Sequence, residues 1–174
     1  MHSIQPEQAS FLLQMSLAGL KNEHGITKNI IEAVPVDKGD YRVAAESRSA
    51  IDLAWHIVAA ENMFLDAVAS GAFTFPSGKP DNIRTSADVS AWYAAEFEKN
   101  TKRLAGRSGD ELAKILDFRG LFQLPAVFYL QFGVNHTIHH RGQLSVYLRP
   151  MGAKVPSIYG ESYDATQARK AAGG

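Results

Sequence analysis

Four long stretches of this chain repeat apolar residues at helical spacing, and this periodicity constrains the fold more than any other feature. Within each stretch, apolar side chains recur three or four residues apart, which predicts an amphipathic α-helix with one buried face. No alternating run rich in Val, Ile and Thr accompanies them, so a β-sheet has little to be built from. In a chain of 174 residues, the pattern predicts a single all-α domain over residues 1–174, folded as a four-helix bundle.

Prolines, glycines and polar connections set the expected helix boundaries. The first predicted helix covers residues 6–33, with a break near Gly25, and the second extends from a cap at Ser47 or Ser49 to Gly71. The third extends from a cap at Thr85 or Ser86 to Gly106. The fourth covers residues 121–148, and Pro125 could mark its true start. A short helical turn is predicted over residues 110–116. The connections are long and polar, and residues 166–174 are predicted to form a disordered tail.

Charge balance and the absence of cysteine exclude several classes of function. The 18 basic and 18 acidic side chains give a net charge of zero, which argues against a nucleic-acid or anionic-membrane surface. Without cysteine, disulfides, thiolate nucleophiles and sulfur-based metal sites are excluded. No signal peptide and no membrane span are evident. We therefore expect a cytoplasmic protein whose partner is a small molecule.

The six histidines and the carboxylates remain as candidates for metal or acid–base chemistry. His136 and His140 are one helical turn apart on the fourth predicted helix, so both imidazoles can face one ion. His56 lies within the second helix at the edge of its buried face, where an imidazole needs a hydrogen bond or a metal. These three residues, here called the His triad, would leave coordination positions open for water or substrate. The alternative is that they are ordinary core histidines with hydrogen-bond partners.

The other three histidines are weaker candidates. His2 belongs to a terminus that is expected to fray. His24 continues the apolar face of the first helix and is either a helix-end residue or a polar member of the core. His139 is rotated about 100° around the helix from His140, so we expect it to flank the site rather than to bind metal.

Three polar residues near the His triad have both a functional and a structural interpretation. Gln143 could contact a metal ligand or the substrate, or form a helix-packing hydrogen bond. Arg141 could bind a substrate carboxylate or form a salt bridge between helices. Asp52 could orient the imidazole of His56, or be a solvated charge at a helix N-terminus. Gln143 and Arg141 are the candidate catalytic residues, and no general base is evident.

Two familiar metal-binding helix motifs are absent. A zincin has Glu directly after its first helix histidine, where this chain has Thr137. Ferritin-like bundles use Glu-x-x-His pairs, and no Glu of this sequence has His three residues later. The chemistry of metalloproteases and carboxylate-bridged di-iron enzymes is therefore excluded.

Three segments resemble the DinB-like family of metal-binding four-helix bundles. They are NHTIHHRGQL at 135–144, SAIDLAWHIVAAE at 49–61 and PSIYG at 156–160. The resemblance extends from the first helix to about Tyr163, and it implies that the metal ligands of the family fall on the His triad. It further implies a metal-dependent hydrolase or a transferase that uses a low-molecular-weight thiol, and it suggests a homodimer.

A divalent ion, Zn²⁺ or Ni²⁺, is the expected cofactor, although imidazole ligands do not choose between them. Because the chain has no cysteine, any thiol in the reaction has to come from a diffusible cosubstrate. The alternative function is a non-catalytic metal- or ligand-binding module of a stress response. We expect metal uptake to weaken as the pH falls through about 6.5, and we expect residues 72–85 to line the pocket that selects the substrate.

Overall fold

A computed structural model describes residues 3–75 and 77–173, so His2 lies outside the described part of the chain. The elements in chain order are α1 (Pro6–Glu32), a 3₁₀ turn (Val36–Lys38), α2 (Ala50–Ser70), α3 (Ser86–Ala105), α4 (Gly109–Ala113), β1 (Ile115–Phe118), β2 (Phe122–Pro125), α5 (Phe128–Leu148) and α6 (Tyr163–Ala171). Helix α1 packs on α3 and α5, and α2 packs on the same two helices. The predicted all-α four-helix bundle is confirmed.

Helix ends follow local sequence signals. The hydroxyl of Ser49 accepts a hydrogen bond from the backbone N–H of Asp52 at the start of α2, and Gly71 ends this helix with φ of 82°. At the start of α3, Thr85 forms a capping box with Asp88. The break predicted near Gly25 is wrong, because α1 is continuous and is held on the core by buried residues on both sides of that glycine.

A β-hairpin replaces the predicted start of the fourth helix. Strands β1 and β2 pair antiparallel from Ile115 opposite Pro125 to Phe118 opposite Phe122, and α5 begins only at Phe128. The predicted turn over residues 110–116 is correspondingly shorter, as α4. Four-residue strands contain too few alternations to produce a recognisable pattern, and their aromatic side chains find partners only in the folded bundle.

The predicted disordered tail is also wrong over the residues that the structure describes. Helix α6 is capped by Ser162, whose hydroxyl accepts from the N–H of Ala165 at 3.1 Å. The carboxylate of Asp164 accepts from the N–H of Val155 at 2.9 Å and pairs with Arg149 at 3.1 Å. This helix buries no residue completely, so its polar contacts rather than an apolar face attach it.

Helices α2 and α5 approach closely at Gly133. A Cβ atom there would lie 3.0 Å from Cβ of Phe64 on α2, which is closer than ordinary van der Waals contact, so a larger residue would require Phe64 to shift. This close approach brings the middle of α5 against the middle of α2, where His136 and His56 lie.

The described helices include none that is both long and apolar enough to cross a membrane.

Candidate metal centre

The His triad converges from two helices. His56 projects from α2, and His136 and His140 project from α5 one turn apart. One ring nitrogen of each histidine lies within 4.8 Å of the others, and Nε2 of His56 is 3.2 Å from Nε2 of His140. Nitrogens bound to zinc at about 2.0–2.1 Å are about 3.3 Å apart in tetrahedral geometry. The three rings are therefore arranged to share one ion.

Burial keeps these imidazoles neutral. It lowers the pKa of His56 to about 4, with further lowering by the positive charge of Arg48 and by His140. Burial likewise lowers the pKa of His136 to about 4, with His140 as the next contribution. The pKa of His140 is also lowered by burial, although its hydrogen bond with Gln143 opposes the shift. Near neutral pH, all three rings carry a free lone pair, as metal ligands require.

One buried nitrogen supports the fit to a metal. Nδ1 of His136 is buried and has no hydrogen-bond partner among the described residues. A buried polar atom without a hydrogen-bond partner is unfavourable. If the His136 ring binds an ion, or reorients toward one, the interaction with the ion offsets this cost. Together with the convergence of three neutral imidazoles, this satisfies what a divalent ion needs from its ligands.

Gln143 contacts the triad directly. Its Oε1 accepts a hydrogen bond from Nδ1 of His140 at 2.8 Å, which leaves Nε2 of His140 unprotonated toward His56. Its amide Nε2 lies 3.3 Å from Nε2 of His139, so His139 lies beside the triad and not within it. Gln143 also borders a second cavity of about 760 Å³. Holding a ligand ring by its other nitrogen is typical of metal sites.

Arg141 is occupied elsewhere, which corrects its interpretation as a substrate-binding residue. The side chain is 1% exposed. One guanidinium nitrogen donates to Glu23 at 2.7 Å and to Thr27 at 3.1 Å, and the other donates to the hydroxyl of Tyr159 at 2.7 Å. The salt-bridge alternative is the observed one, and it ties α5 to α1 and to the segment containing Tyr159.

Asp52 does not orient His56 either. Its carboxylate accepts from the hydroxyl of Ser49 at 2.7 Å and lies 4.0 Å from Nζ of Lys79. It is a charge at the N-terminus of α2, which was the second of its two predicted interpretations. Within the described residues, no hydrogen bond links it to the imidazole of His56.

Glu61 is a buried residue that the sequence-based reasoning missed. It is 2% exposed, and its carboxylate accepts from the hydroxyl of Tyr93 at 2.7 Å and from that of Thr137 at 2.8 Å. Burial raises its pKa, while both hydroxyls oppose the shift. Because Thr137 follows His136, this contact joins the triad-bearing part of α5 to α2. The available signal was an acidic residue on the buried face of the second helix, directly after a run of apolar residues from Ile57 to Ala60.

His24 is a polar member of the core, one of its two predicted interpretations. Its ring stacks on Phe97 with centroids 3.9 Å apart and leans on Tyr93 at 4.1 Å. Burial lowers its pKa to about 4, and the positive charge of Lys28 contributes. It takes no part in the triad.

A cavity of about 590 Å³ opens onto the triad at His56 and His136. The larger apolar side chains of its wall are those of Trp55, Met63, Phe64, Phe75, Phe118 and Phe132. The loop over residues 72–85 contributes Phe75, Gly78 and Lys79, as expected, and the hairpin contributes Phe118 and Arg119, which the sequence did not indicate. A pocket of this size suits a small organic ligand.

Comparisons with known proteins support the sequence resemblance. Two uncharacterized Bacillus subtilis proteins are each 27% identical to the chain: YjoA over 75% of this chain and 85% of its own, and YrdA over 79% and 82%. A DinB-like protein of Bacillus cereus has a similar fold, with a TM-score of 0.70 and 24% identity over 83% of this chain and 95% of its own.

Two further solved structures have the same fold. The structure of YjoA has a TM-score of 0.68 at 23% identity, over 83% of this chain and 96% of that one. A mycothiol-dependent maleylpyruvate isomerase has a TM-score of 0.50 at 13% identity, over 91% and 68%. Because residues 12–171 match the sequence model of the DinB family, the chain belongs to that family.

Proposed function

We propose that this protein is a metal-dependent enzyme, a hydrolase or a small-thiol-dependent transferase, that acts on a small molecule through a divalent ion held by the His triad. The observation that carries the proposal is the convergence of three neutral imidazoles within 4.8 Å of one another, two of which, those of His56 and His136, line a cavity. Zinc and nickel are the proposed ions, since both accept imidazole ligands.

The chain itself prepares the site for this chemistry. A divalent ion bound there supplies Lewis acidity and lowers the pKa of a coordinated water or thiol. Burial holds the three imidazoles unprotonated, and Gln143 keeps the proton of His140 on Nδ1. The aromatic side chains give the cavity a wall of low polarity, beside which charges interact more strongly than in bulk water. Three protein ligands leave a position open for a reactant.

A thiol cosubstrate is the finer part of the proposal. The similar fold of an isomerase described as mycothiol-dependent supports it. The absence of cysteine requires any reacting thiol to be diffusible. Cytoplasmic location, the lack of nucleic-acid and membrane partners, and homodimer formation stay predictions.

Metal content tests the triad. Purified protein should contain about one equivalent of divalent metal by elemental mass spectrometry, and His56→Ala, His136→Ala and His140→Ala should each lose most of it. His139→Ala is the matched control, because it removes a neighbouring imidazole outside the triad and should retain the metal. A metal-free wild type after reconstitution with zinc and nickel, or triad variants with normal uptake, would refute the site.

A non-catalytic binding module is the second candidate. Among the described residues, both carboxylates near the site are engaged: Glu61 with two buried hydroxyls and Asp52 at a helix start. Within the described part of the chain, neither of these two carboxylates is therefore free to act as a general base beside the triad. Metal-loaded protein should be incubated with esters, amides and pairs of thiol and electrophile. Turnover that is lost in His56→Ala supports the enzyme, whereas inactivity with every substrate favours the binding module.

A further inference from the structure

The cavity beside the triad concentrates positive charge in a chain with no net charge. Its lining includes Arg48, Lys79 and Arg119, against a single described carboxylate, that of Asp52. Lys79 and Asp52 lie 4.0 Å apart and offset each other. Two guanidinium groups are left over, and their charges face the same cavity.

The remaining arginines show that these two are exceptional. Of the nine arginines in the sequence, five pair with carboxylates, namely Arg103, Arg107, Arg141, Arg149 and Arg169. Two more, Arg42 and Arg84, donate to backbone carbonyls. Within residues 3–75 and 77–173, no carboxylate lies within 4.0 Å of the guanidinium of Arg48 or Arg119. Arg48 also borders the second cavity, beside Glu46.

Arg119 is exposed, and its guanidinium stacks on an aromatic ring of the cavity. It lies in the hairpin turn with φ of 56°, the one described residue other than glycine with a positive φ, and a conformation of this kind persists only where the surrounding structure imposes it. Its guanidinium carbon is 3.8 Å from the ring centroid of Phe75. Stacking on an aromatic face orients the group while its N–H donors stay available at the edge.

The rest of the cavity favours an apolar ligand body. Phe64, Phe118 and Phe132 form a connected group, with ring centroids 5.3 Å to 6.3 Å apart. Phe75 is 5.7 Å from Phe118 and extends this wall toward Arg119. Aromatic surface of this kind packs well against a planar or compact apolar group.

We infer that the cavity takes a small organic anion whose negative group lies between Arg48 and Arg119 and whose apolar body packs on the phenylalanines. Guanidinium binds carboxylates through two parallel hydrogen bonds, which gives both orientation and selectivity. That this anion is the substrate rests on the proposed function; that it binds here does not. The anion would then be positioned between the arginines and the His triad.

Binding of 1-naphthoate and of its neutral analogue 1-naphthamide tests the inference. Calorimetric titration uses the full chain, once stripped of metal with a chelator and once loaded with zinc. Naphthoate should bind more tightly than naphthamide in both forms. Arg48→Gln and Arg119→Gln should each weaken naphthoate by about three- to tenfold, the range for a charged hydrogen bond that is partly exposed, and should leave naphthamide unchanged. Arg169→Gln, on α6, is the matched control and should change neither.

Other outcomes overturn the inference. Equal affinity for the two probes, no naphthoate binding at millimolar concentration, or arginine substitutions that weaken both probes alike would each do so. If naphthoate binds only to zinc-loaded protein, and both arginine substitutions leave its affinity unchanged, the metal ion binds it. The inference then fails while the proposed function stands. If naphthoate binding depends on the two arginines but the protein takes up no metal, the inference stands and the proposed function fails.

Discussion

Replacement of His24 by phenylalanine should make the bundle less sensitive to acid. The imidazole lies between Phe97 and Tyr93, and its buried Nδ1 has no hydrogen-bond partner among the described residues. A phenyl ring preserves the stacking and removes the two ring nitrogens, which are the atoms of this side chain that titrate. The substitution therefore isolates the free energy of keeping one imidazole neutral.

The sign and size of the effect follow from the pKa values. The pKa of His24 falls from 6.5 to about 4 on folding. Below pH 6.5 the unfolded chain takes up a proton that the folded chain does not, so stability is complete above 6.5 and is lost as the pH falls toward 4. At pH 5 the loss would be about 2 kcal/mol for a fully buried ring. Partial exposure of the ring reduces this to about 1 kcal/mol.

Urea unfolding of metal-free protein at pH 7 and pH 5 measures this loss. The variant should gain about 1 kcal/mol relative to wild type between the two pH values. Other titrating groups act in both proteins and cancel in the difference. The comparison at pH 7 is an internal control, because the imidazole of His24 is mostly neutral there in both states. Equal losses in the two proteins would refute the assignment of this acid sensitivity to His24.

Three further predictions concern the site and its support. Gln143→Leu should lower zinc affinity about tenfold, because it frees Nδ1 of His140; unchanged affinity in a chelator competition would show that this hydrogen bond does not matter. Glu61→Leu should cost about 2–4 kcal/mol in urea unfolding, since it strands the hydroxyls of Tyr93 and Thr137, and Glu61→Gln, which keeps one acceptor, should cost less; equal costs would contradict this. Metal uptake should persist to about pH 5, because the lowered pKa values of the His triad delay proton competition. The pH of half-maximal metal uptake is therefore expected below the value of about 6.5 that applies to unperturbed histidines. A midpoint of metal uptake at or above pH 6.5 in equilibrium dialysis would refute this prediction.

The bundle and the triad were accessible from the sequence because both depend on helical periodicity. The spacing of His136 and His140 places them on one face of α5 in any helical structure. The caps at Ser49 and Thr85 are likewise local signals. The hairpin between α4 and α5 was not accessible, because its strands are too short for a pattern and its aromatic residues are stabilised by partners distant in sequence.

The contacts of Gln143 and Arg141 could not be predicted from the sequence. Gln143 and Arg141 were equivalent as candidates, two positions apart on one helix, yet Gln143 meets His140 while Arg141 is buried against Glu23. Which partner a polar side chain meets depends on the neighbouring helix that its face contacts. Periodicity reports the face and not the neighbour.

The amino-acid pattern was sufficient to predict an all-α bundle and to select three histidines, because these depend on local spacing and on residue type. Three of its segments also resembled the DinB-like family. Tertiary packing decided that His56 meets histidines eighty positions away, that their burial lowers their pKa values, and that two arginines without carboxylate partners face the adjoining cavity. Burial and charge proximity are properties of the folded surroundings. They depend on how separate elements pack, which no single stretch of this chain encodes.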